Sequence, residues 1–473
     1  MQPTSQTFKH NASAALRDPA LQRALRNIKS GFPSKRAAVI AKLPEFEQLR
    51  DTGRDLKNHV LDHLDFYLER FETKVVEQGG QVHWARDAAE ANRIVLDICR
   101  AVDAKRVTKG KSMISEEMGL NAFLEANDIR PVETDLGEYI IQLRHEHPSH
   151  IIAPAIHLNR DQVADAFHAH HGPYGFTERR EEPRALLNEA RQVLRQQFLA
   201  ADVGITGANF CIAETGTTVI VTNEGNGDLT QLLPRIHIVL ASIEKVVPTL
   251  EDVSTFIRLL ARSAVGHEIT VYTTFSSGPR RPDDLDGPEQ FHVVLLDNGR
   301  SGMLGGEFQD MLRCIRCSAC LNHCPVYSAI GGHAYGWVYP GPMGSVLTPQ
   351  LIGVDVAGQL PNASTFCGRC EEVCPVHIPL PKMMRHWRER EFERHLTPTP
   401  VRFGLRMWAF FAKRPRWYRM AASLGAWALR RLSGRTGRLK SLPLANGWTA
   451  WRDLPAPQGQ SFQQQWAARR GVR

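Results

Sequence analysis

The chain has 473 residues, 42% of them hydrophobic and 23% charged, an ordinary globular composition long enough for two or three domains that each bury a core. Its first thirty residues are polar, without the apolar run of a secretory signal, and the longest weakly polar stretch near the C-terminus, residues 420–429, is half the roughly 20 residues a spanning helix needs. Secretion and membrane spanning are therefore not expected; a cytoplasmic location is, so the nine cysteines point to metal rather than to disulfides.

Residues 1–75 read as an N-terminal helical region. In LPEFEQLRDTGRDLKNHVLDHLDFYLERFETKVVEQ, apolar residues recur at three- and four-residue intervals with charges between them. The rhythm changes over residues 76–303. Short apolar runs (QVHWA, SHIIAP, TTVIVTN, RIHIVLA, EITVYTTF, FHVVLLDN) alternate there with helix-length segments such as DAAEANRIVLDICRAVDA. That alternation predicts an α/β domain around a largely parallel sheet, closing at NGRSG, which reads as a turn. Residues 304–392 carry the clustered cysteines, interrupted by GGHAYGWVYPGPMGSV, whose lack of periodicity predicts a non-helical insert. Residues 393–473 follow as a basic, tryptophan-rich helical tail. From residue 398 onward, 15 Lys and Arg face one acid, Asp453, so the tail carries +14 of a net +8 and the rest of the chain is −6. An anionic partner is expected at the tail.

The cysteines carry the strongest chemical signal. Cys314, Cys317, Cys320 and Cys324 are spaced x2, x2, x3 and followed by Pro325. In the bacterial ferredoxin run of this spacing, three close thiolates wrap one four-iron cluster and the fourth reaches the neighbouring cluster. Two-residue gaps let a tight loop turn its sulfurs inward, and a proline without an N–H helps turn the chain away. Structural zinc is the alternative, but four-cysteine zinc sites use two separated pairs. A shorter copy follows at Cys367, Cys370 and Cys374, with Ser364 where the first cysteine belongs. The crossed rule assigns cluster 1 to Cys314, Cys317, Cys320 and Cys374, and leaves cluster 2 with Cys324, Cys367 and Cys370, one thiolate short. The expectation is two [4Fe-4S] clusters, the second with a non-cysteine ligand (Ser364 or His377) or reduced to [3Fe-4S]. Cys99, on a helical pattern, and Cys211, in a strand-like run, read as core residues. With no flavin, haem or nicotinamide motif nearby, the clusters predict electron relay rather than bond-making.

Other motifs are weaker. VTKGKSM, residues 107–113, fails as a phosphate loop because Lys105 stands where the first glycine is required. Three polar, glycine-containing stretches, VETDLGEY, GITGANFCIAETG and VTNEGNG, are either turns or ligand loops at strand ends. The histidines of HEHPSH and FHAHHG read as exposed loop and helix-end residues rather than as a metal site.

These residues together resemble the lactate utilisation protein B family over roughly residues 60–390. The resemblance rests on KSMISEEMGLNAFLE, VETDLGEYIIQL, PSHIIAPAIH, ADVGITGANFCIAETGT, TNEGNG, IEKVVPT, LLDNGRS, CIRCSACLNHCPVY, GGHAYGWVYPGPMG and CGRCEEVCPVHIPLP, in that order. It implies a LUD-type α/β domain, similar in fold to sugar-phosphate isomerases and CoA transferases, followed by an α-helical ferredoxin-like dicluster module. It further implies two four-iron clusters on the same seven cysteines, and a role in oxidising lactate to pyruvate alongside lactate utilisation proteins A and C. Two functions follow as expectations. The first is an electron-transfer subunit of an NAD-independent lactate-oxidising complex. The second is a LUD-domain oxidoreductase that itself binds lactate or another small anion, with Glu133, Asp135, Glu214, Asn223, Glu224 and Lys245 as candidate acid, base and anchoring groups. The tail's tryptophans, Trp408, Trp417, Trp427, Trp448, Trp451 and Trp466, lie among arginines. They are expected at a partner-subunit interface, with peripheral contact at the inner membrane face as the alternative and nucleic acid not expected.

Overall fold

The amphipathic pattern at the start of the chain forms helices Phe8–Arg17, Pro19–Ile40, Phe46–Asp62 and Leu64–Glu77 in the computed structural model, which describes residues 3–442, 449 and 452–471. Asp18 starts the second helix by accepting the N–H groups of Ala20 and Leu21, with Pro19 at the first helical position. The third buries Phe46, Leu49, Val60 and Leu61 along one face. On that face Gly53 permits close packing, since a Cβ there would meet Leu259 Cδ1 at 2.8 Å. These helices are not a separate body. Leu25, Phe46, Leu49 and Leu61 share one hydrophobic core with Tyr327, Tyr339, Met343 and Val376 of the cysteine-bearing segment. Residues 1–391 accordingly form one compact unit, and residues 392–473 a second.

Ten strands make the two sheets of the first unit: β1 (Gln81–Ala85), β2 (Arg106–Lys109), β3 (Arg130–Glu133), β4 (Val203–Gly207), β5 (Phe210–Ile212), β6 (Thr217–Thr222), β7 (Ile236–Ser242), β8 (Val246–Val247), β9 (Tyr272–Ser276) and β10 (Gln290–Leu296). Six of them form a wholly parallel sheet in the order β1-β10-β7-β4-β2-β3. β7 is buried along its whole length, which is why it reads as a continuous apolar run. Gly204 in β4 admits the helix Asn226–Leu232, because a Cβ would meet the Thr230 carbonyl oxygen at 1.8 Å.

The sequence expectation of one largely parallel sheet holds for these six strands and fails for TTVIVTN and EITVYTTF. Those runs enter a second sheet, β8-β5-β6-β9, whose β5–β6 and β6–β9 pairs are antiparallel. Only four residues join β5 to β6, too few for the crossover that a parallel pair demands. SHIIAP is not a strand either. The His150 ring accepts the N–H groups of Ile152 and Ala153 at 3.1 Å each, taking donors that a strand would pair. The insert expected to be non-helical contains the first half of the helix Gly341–Ile352. Residues 341–349 are all buried, so the helix has no polar face to reveal its period.

The second unit contains helices Thr399–Ala412, Pro415–Leu432 and Phe462–Arg470. Trp408, Trp417, Trp427 and Trp466 are exposed on them, with Arg431 stacked over Trp427 at 5.0 Å and Arg470 over Trp466 at 4.8 Å. Trp448 and Trp451 lie outside the described residues. Among the described residues no helix is long and apolar enough to cross a membrane.

A candidate iron–sulfur centre beside a polar cavity

The two cysteine motifs fold as copies of one loop. Arg316 and Ser318, either side of Cys317, have φ of 59° and 61°; Phe366 and Gly368, either side of Cys367, have 54° and 81°. Three of these four are not glycine, so the left-handed turns cost energy that the surroundings must offset. One-turn helices follow, Ala319–Asn322 and Arg369–Glu372, and each motif ends with a backbone N–H directed at sulfur. Tyr327 N lies 3.5 Å from Cys324 Sγ and Ile378 N 3.4 Å from Cys374 Sγ.

Cys314, Cys317, Cys320 and Cys374 line one small cavity, closed by Ile151, Met343, Val376 and Leu380. Burial pushes the Cys317 and Cys320 thiols well up, and that of Cys374 to about 11, with neighbouring thiols adding to the shift for all three. Four thiolates can share this space only with strong positive charge among them. Arg36 acts on Cys317, Arg50 and Arg313 on Cys374, and Lys57, Lys245 and Arg316 on Cys314. Among the described residues no three His, Cys, Asp or Glu converge as the ligands of a single ion do. Sulfurs spread around a cavity fit a cluster in which each iron takes one thiolate better than zinc, which draws its sulfurs to about 2.3 Å of one centre.

Cys324, Cys367 and Cys370 form the other group. Burial raises Cys324 and lifts Cys370 to about 12, and the charges of the three act on one another. Cys367 is exposed. Ser364 is half-buried, its Oγ accepting the Phe366 N–H at 3.1 Å. His377 is turned to the Cys374 side, its Nε2 3.4 Å from Asp51 Oδ1. Sequence reasoning did not single out Tyr335, whose fully buried hydroxyl lies beside the Cys324 sulfur. Nor did it find the clamp from the N-terminal helices. The buried Arg50 donates from Nε and Nη2 to the Cys374 carbonyl at 3.1 and 2.7 Å, and from Nη2 to Glu372 O at 2.8 Å; Arg36 Nη2 donates to Val373 O at 3.0 Å. Both occupy the orphan carbonyls at the end of the second cysteine helix.

NGRSG is more than a turn. Arg300, fully buried, makes a bidentate pair with Glu117 at 2.9 and 2.7 Å, and its Nε lies 3.2 Å from Glu244 Oε2. Tyr339 donates to Glu117 at 2.7 Å, Asn298 donates to it at 2.7 Å, and Arg316 reaches Glu244 at 3.2 Å. Although burial opposes ionisation, the Arg300 and Arg316 charges hold Glu244 down at about 2, and Arg300 likewise lowers Glu117. Desolvating such groups is costly unless every charge is matched. The network ties the cysteine loop, through Arg316, to the parallel sheet.

At the carboxyl ends of β2, β3, β4 and β7, loops enclose a cavity of about 300 Å³, the usual ligand position in open α/β sheets. All three polar stretches contribute to it, with Asp135, Asn209 and Glu224 among the lining residues, and VTKGKSM adds Lys111. Of the six candidate groups, Asp135, Asn223, Glu224 and Lys245 meet there. Glu133 does not: it is buried 2.6 Å from Lys109, whose charge Glu133 and Glu116 sustain against burial. Glu214 is exposed and accepts the Leu250 N–H. The histidines are structural, but two are buried rather than exposed. His150 donates from Nε2 to Asn322 Oδ1 at 3.0 Å, and His171 sits between Tyr139 and Glu189 at 2.9 and 2.8 Å. Cys99 and Cys211 are buried in the core, apart from both cysteine groups.

A family model described as LUD domain matches residues 68–296, and one described as 4Fe-4S dicluster domain matches residues 310–378. Lactate utilization protein B of Lysinibacillus sphaericus (strain C3-41) is 41% identical over 98% of this chain and 97% of its own length. Similar full-length likeness is found to the "Uncharacterized electron transport protein YkgF" of Escherichia coli (strain K12), 41% identical over 97% of this chain and 96% of that one. Lactate utilization protein B of Bacillus licheniformis is 40% identical over 98% and 97%. The likeness extends past residue 390, the limit of the motifs legible in the sequence, and takes in the tail. This chain belongs to the lactate utilisation protein B family, with a LUD domain followed by a 4Fe-4S dicluster domain.

Proposed function

We propose that the chain is the iron–sulfur electron-transfer subunit of a three-protein complex that oxidises L-lactate to pyruvate, working with lactate utilisation proteins A and C. The observation that carries this reading is the cavity lined by Cys314, Cys317, Cys320 and Cys374, four thiols from two motifs brought to one place. In this reading those residues hold one [4Fe-4S] cluster, and Cys324, Cys367 and Cys370 hold three positions of a second. The register of the repeated loop supports Ser364 at the remaining position, and His377, paired on the Cys374 side, has no part in it. When bound, the clusters supply one-electron transfer without making or breaking bonds in a substrate. The chain's own residues bury the sulfurs, exclude water with Ile151, Met343 and Leu380, and offset thiolate charge with Arg36, Arg50 and Arg316. The exposed tryptophans and arginines of the second unit suit docking to the partner subunits.

A second reading, in which the LUD domain itself binds lactate or another small anion, is favoured by the polar cavity at the sheet's carboxyl edge. One experiment separates the two. Purified anaerobically with both partners, the chain should support lactate-dependent dye reduction, whereas alone it should accept electrons from dithionite but turn over no lactate. Lactate turnover by the isolated chain would replace the first reading with the second.

A further inference from the structure

The cavity at the sheet's carboxyl edge has a cationic inner end and an acidic rim. Lys245, 7% exposed, lines the inner end and has no hydrogen-bond or ion-pair partner among the described residues. The adjacent Glu244 carboxylate is already engaged by Arg300 and Arg316. Arg316, also lining the cavity, pairs through Nη2 with Glu244, while its buried Nη1 has no acceptor. Asn209 Oδ1 accepts the Val221 N–H at 2.9 Å, which leaves its amide N–H groups without an acceptor among the described residues. Asn223 and Glu224 are exposed at the rim, and Asp135 lies between, its Oδ1 capping the helix Leu136–Leu143. An unpaired buried donor or cation is costly, and here several such groups face one space. Burial first, then the Arg316 charge, lowers Lys245 to about 8, and an anion between the two cations would relieve both effects.

Three cations (Lys111, Lys245, Arg316) against two carboxylates (Asp135, Glu224) leave the lining one positive charge in excess. That balance suits a monoanion better than a dianionic phosphate ester. Lys111 donates from Nζ to the Ile152 carbonyl, and Arg316 shares the Glu244 carboxylate with Arg300, so the unpaired charge at the inner end is that of Lys245, beside the open Nη1 of Arg316. Ile151 and Arg316 line this cavity and the four-thiol cavity alike, so an occupant lies one side chain from the cysteine loop.

Resting on the second reading above, we propose that this cavity binds a small monocarboxylate anion on Lys245 and Arg316, and that the bound charge acts through Arg316 on the redox centre held by the Cys314 loop. A negative charge placed there opposes arrival of an electron in the neighbouring cavity, so the anion favours the oxidised centre. By linkage, reduction weakens anion binding by the same factor. The chain would then release its carboxylate when it receives an electron, giving the LUD domain a part in timing electron transfer without bond chemistry of its own.

The test uses the anaerobic full-length chain with its iron content measured first, which checks the cluster reading independently. Equilibrium dialysis with radiolabelled pyruvate and L-lactate should show about one site per chain for at least one of them, with inorganic phosphate and glycerol failing to compete. Lys245→Met should weaken binding at least tenfold, with binding counted per iron-loaded chain because Lys245 also acts on Cys314; Lys245→Arg, which keeps that charge, should restore much of it. Asn223→Leu, at the exposed rim, gives a second probe that does not disturb the interior, and should weaken binding more mildly. A tenfold weakening on dithionite reduction corresponds to a midpoint about 59 mV lower at saturating anion, read by EPR-monitored titration. No binding at millimolar carboxylate, tighter binding of phosphate, or Lys245→Met binding as wild type would each overturn the site. A midpoint unmoved by a bound carboxylate would overturn the coupling.

Discussion

Arg300→Met removes the centre of the buried network while keeping a side chain of similar length. The substitution takes the bidentate partner from Glu117 and the Nε contact from Glu244, both carboxylates being almost fully buried. Removing one partner of a buried pair costs about 3–5 kcal/mol, because the other charge stays behind unpaired. With about 2.1 cal/mol/K of unfolding entropy per residue, the unit over residues 1–391 has roughly 0.8 kcal/mol/K, so the melting midpoint should fall by about 4–6 °C. The pH dependence gives a second check. In the wild type both carboxylates have folded pKa values below their ordinary ones, so they contribute stability above the unfolded pKa and lose it as pH falls through the folded value, about 2 for Glu244. In the variant the unpaired carboxylates are driven the other way, and protonating them removes the uncompensated charge. The gap between the two proteins should therefore narrow between pH 7.5 and about 5.5. Anaerobic scanning calorimetry or tryptophan fluorescence at both pH values measures it. A gap under about 1 °C at pH 7.5, or one that widens on acidification, would refute the claim that this network holds the cysteine loop to the sheet.

Two further outcomes are expected. Anaerobically purified protein should carry about eight irons per chain, Cys320→Ser should remove the EPR signal of the fully thiolate-ligated cluster, and Cys370→Ser that of the other, which on oxidation of the wild type should give a three-iron signal first; stoichiometric zinc, or loss of the same species in both variants, contradicts the ligand sets proposed here. Deleting residues 401–473 should leave both clusters in place and weaken co-purification with the partner subunits, whereas normal assembly together with lost sedimentation on anionic vesicles would establish a membrane role for the tail.

How far local sequence reaches is visible in particular elements. Cysteine spacing is a local property: two-residue gaps dictate a tight loop, so the metal chemistry was legible without a fold. The helices of residues 8–77 were legible because one face is wet, and β7 because both faces are dry. The helix Gly341–Ile352 was not, since burial on all sides erases the periodicity that identifies a helix. His150 illustrates a different loss: in SHIIAP its ring takes backbone donors, and composition alone cannot report that.

By itself, then, the sequence determined where an iron–sulfur motif stands, where the chain alternates strand with helix, and where positive charge collects. Only the tertiary structure decided what those pieces face. Residues nearly 60 apart supply sulfurs to one cavity, Arg50 closes a helix more than 300 positions away, and Arg300 turns an apparent loop into a buried anchor. The reason is physical. Spacing along the chain sets only contacts within a few residues, whereas desolvation and charge pairing depend on every group that folding brings within a few ångströms.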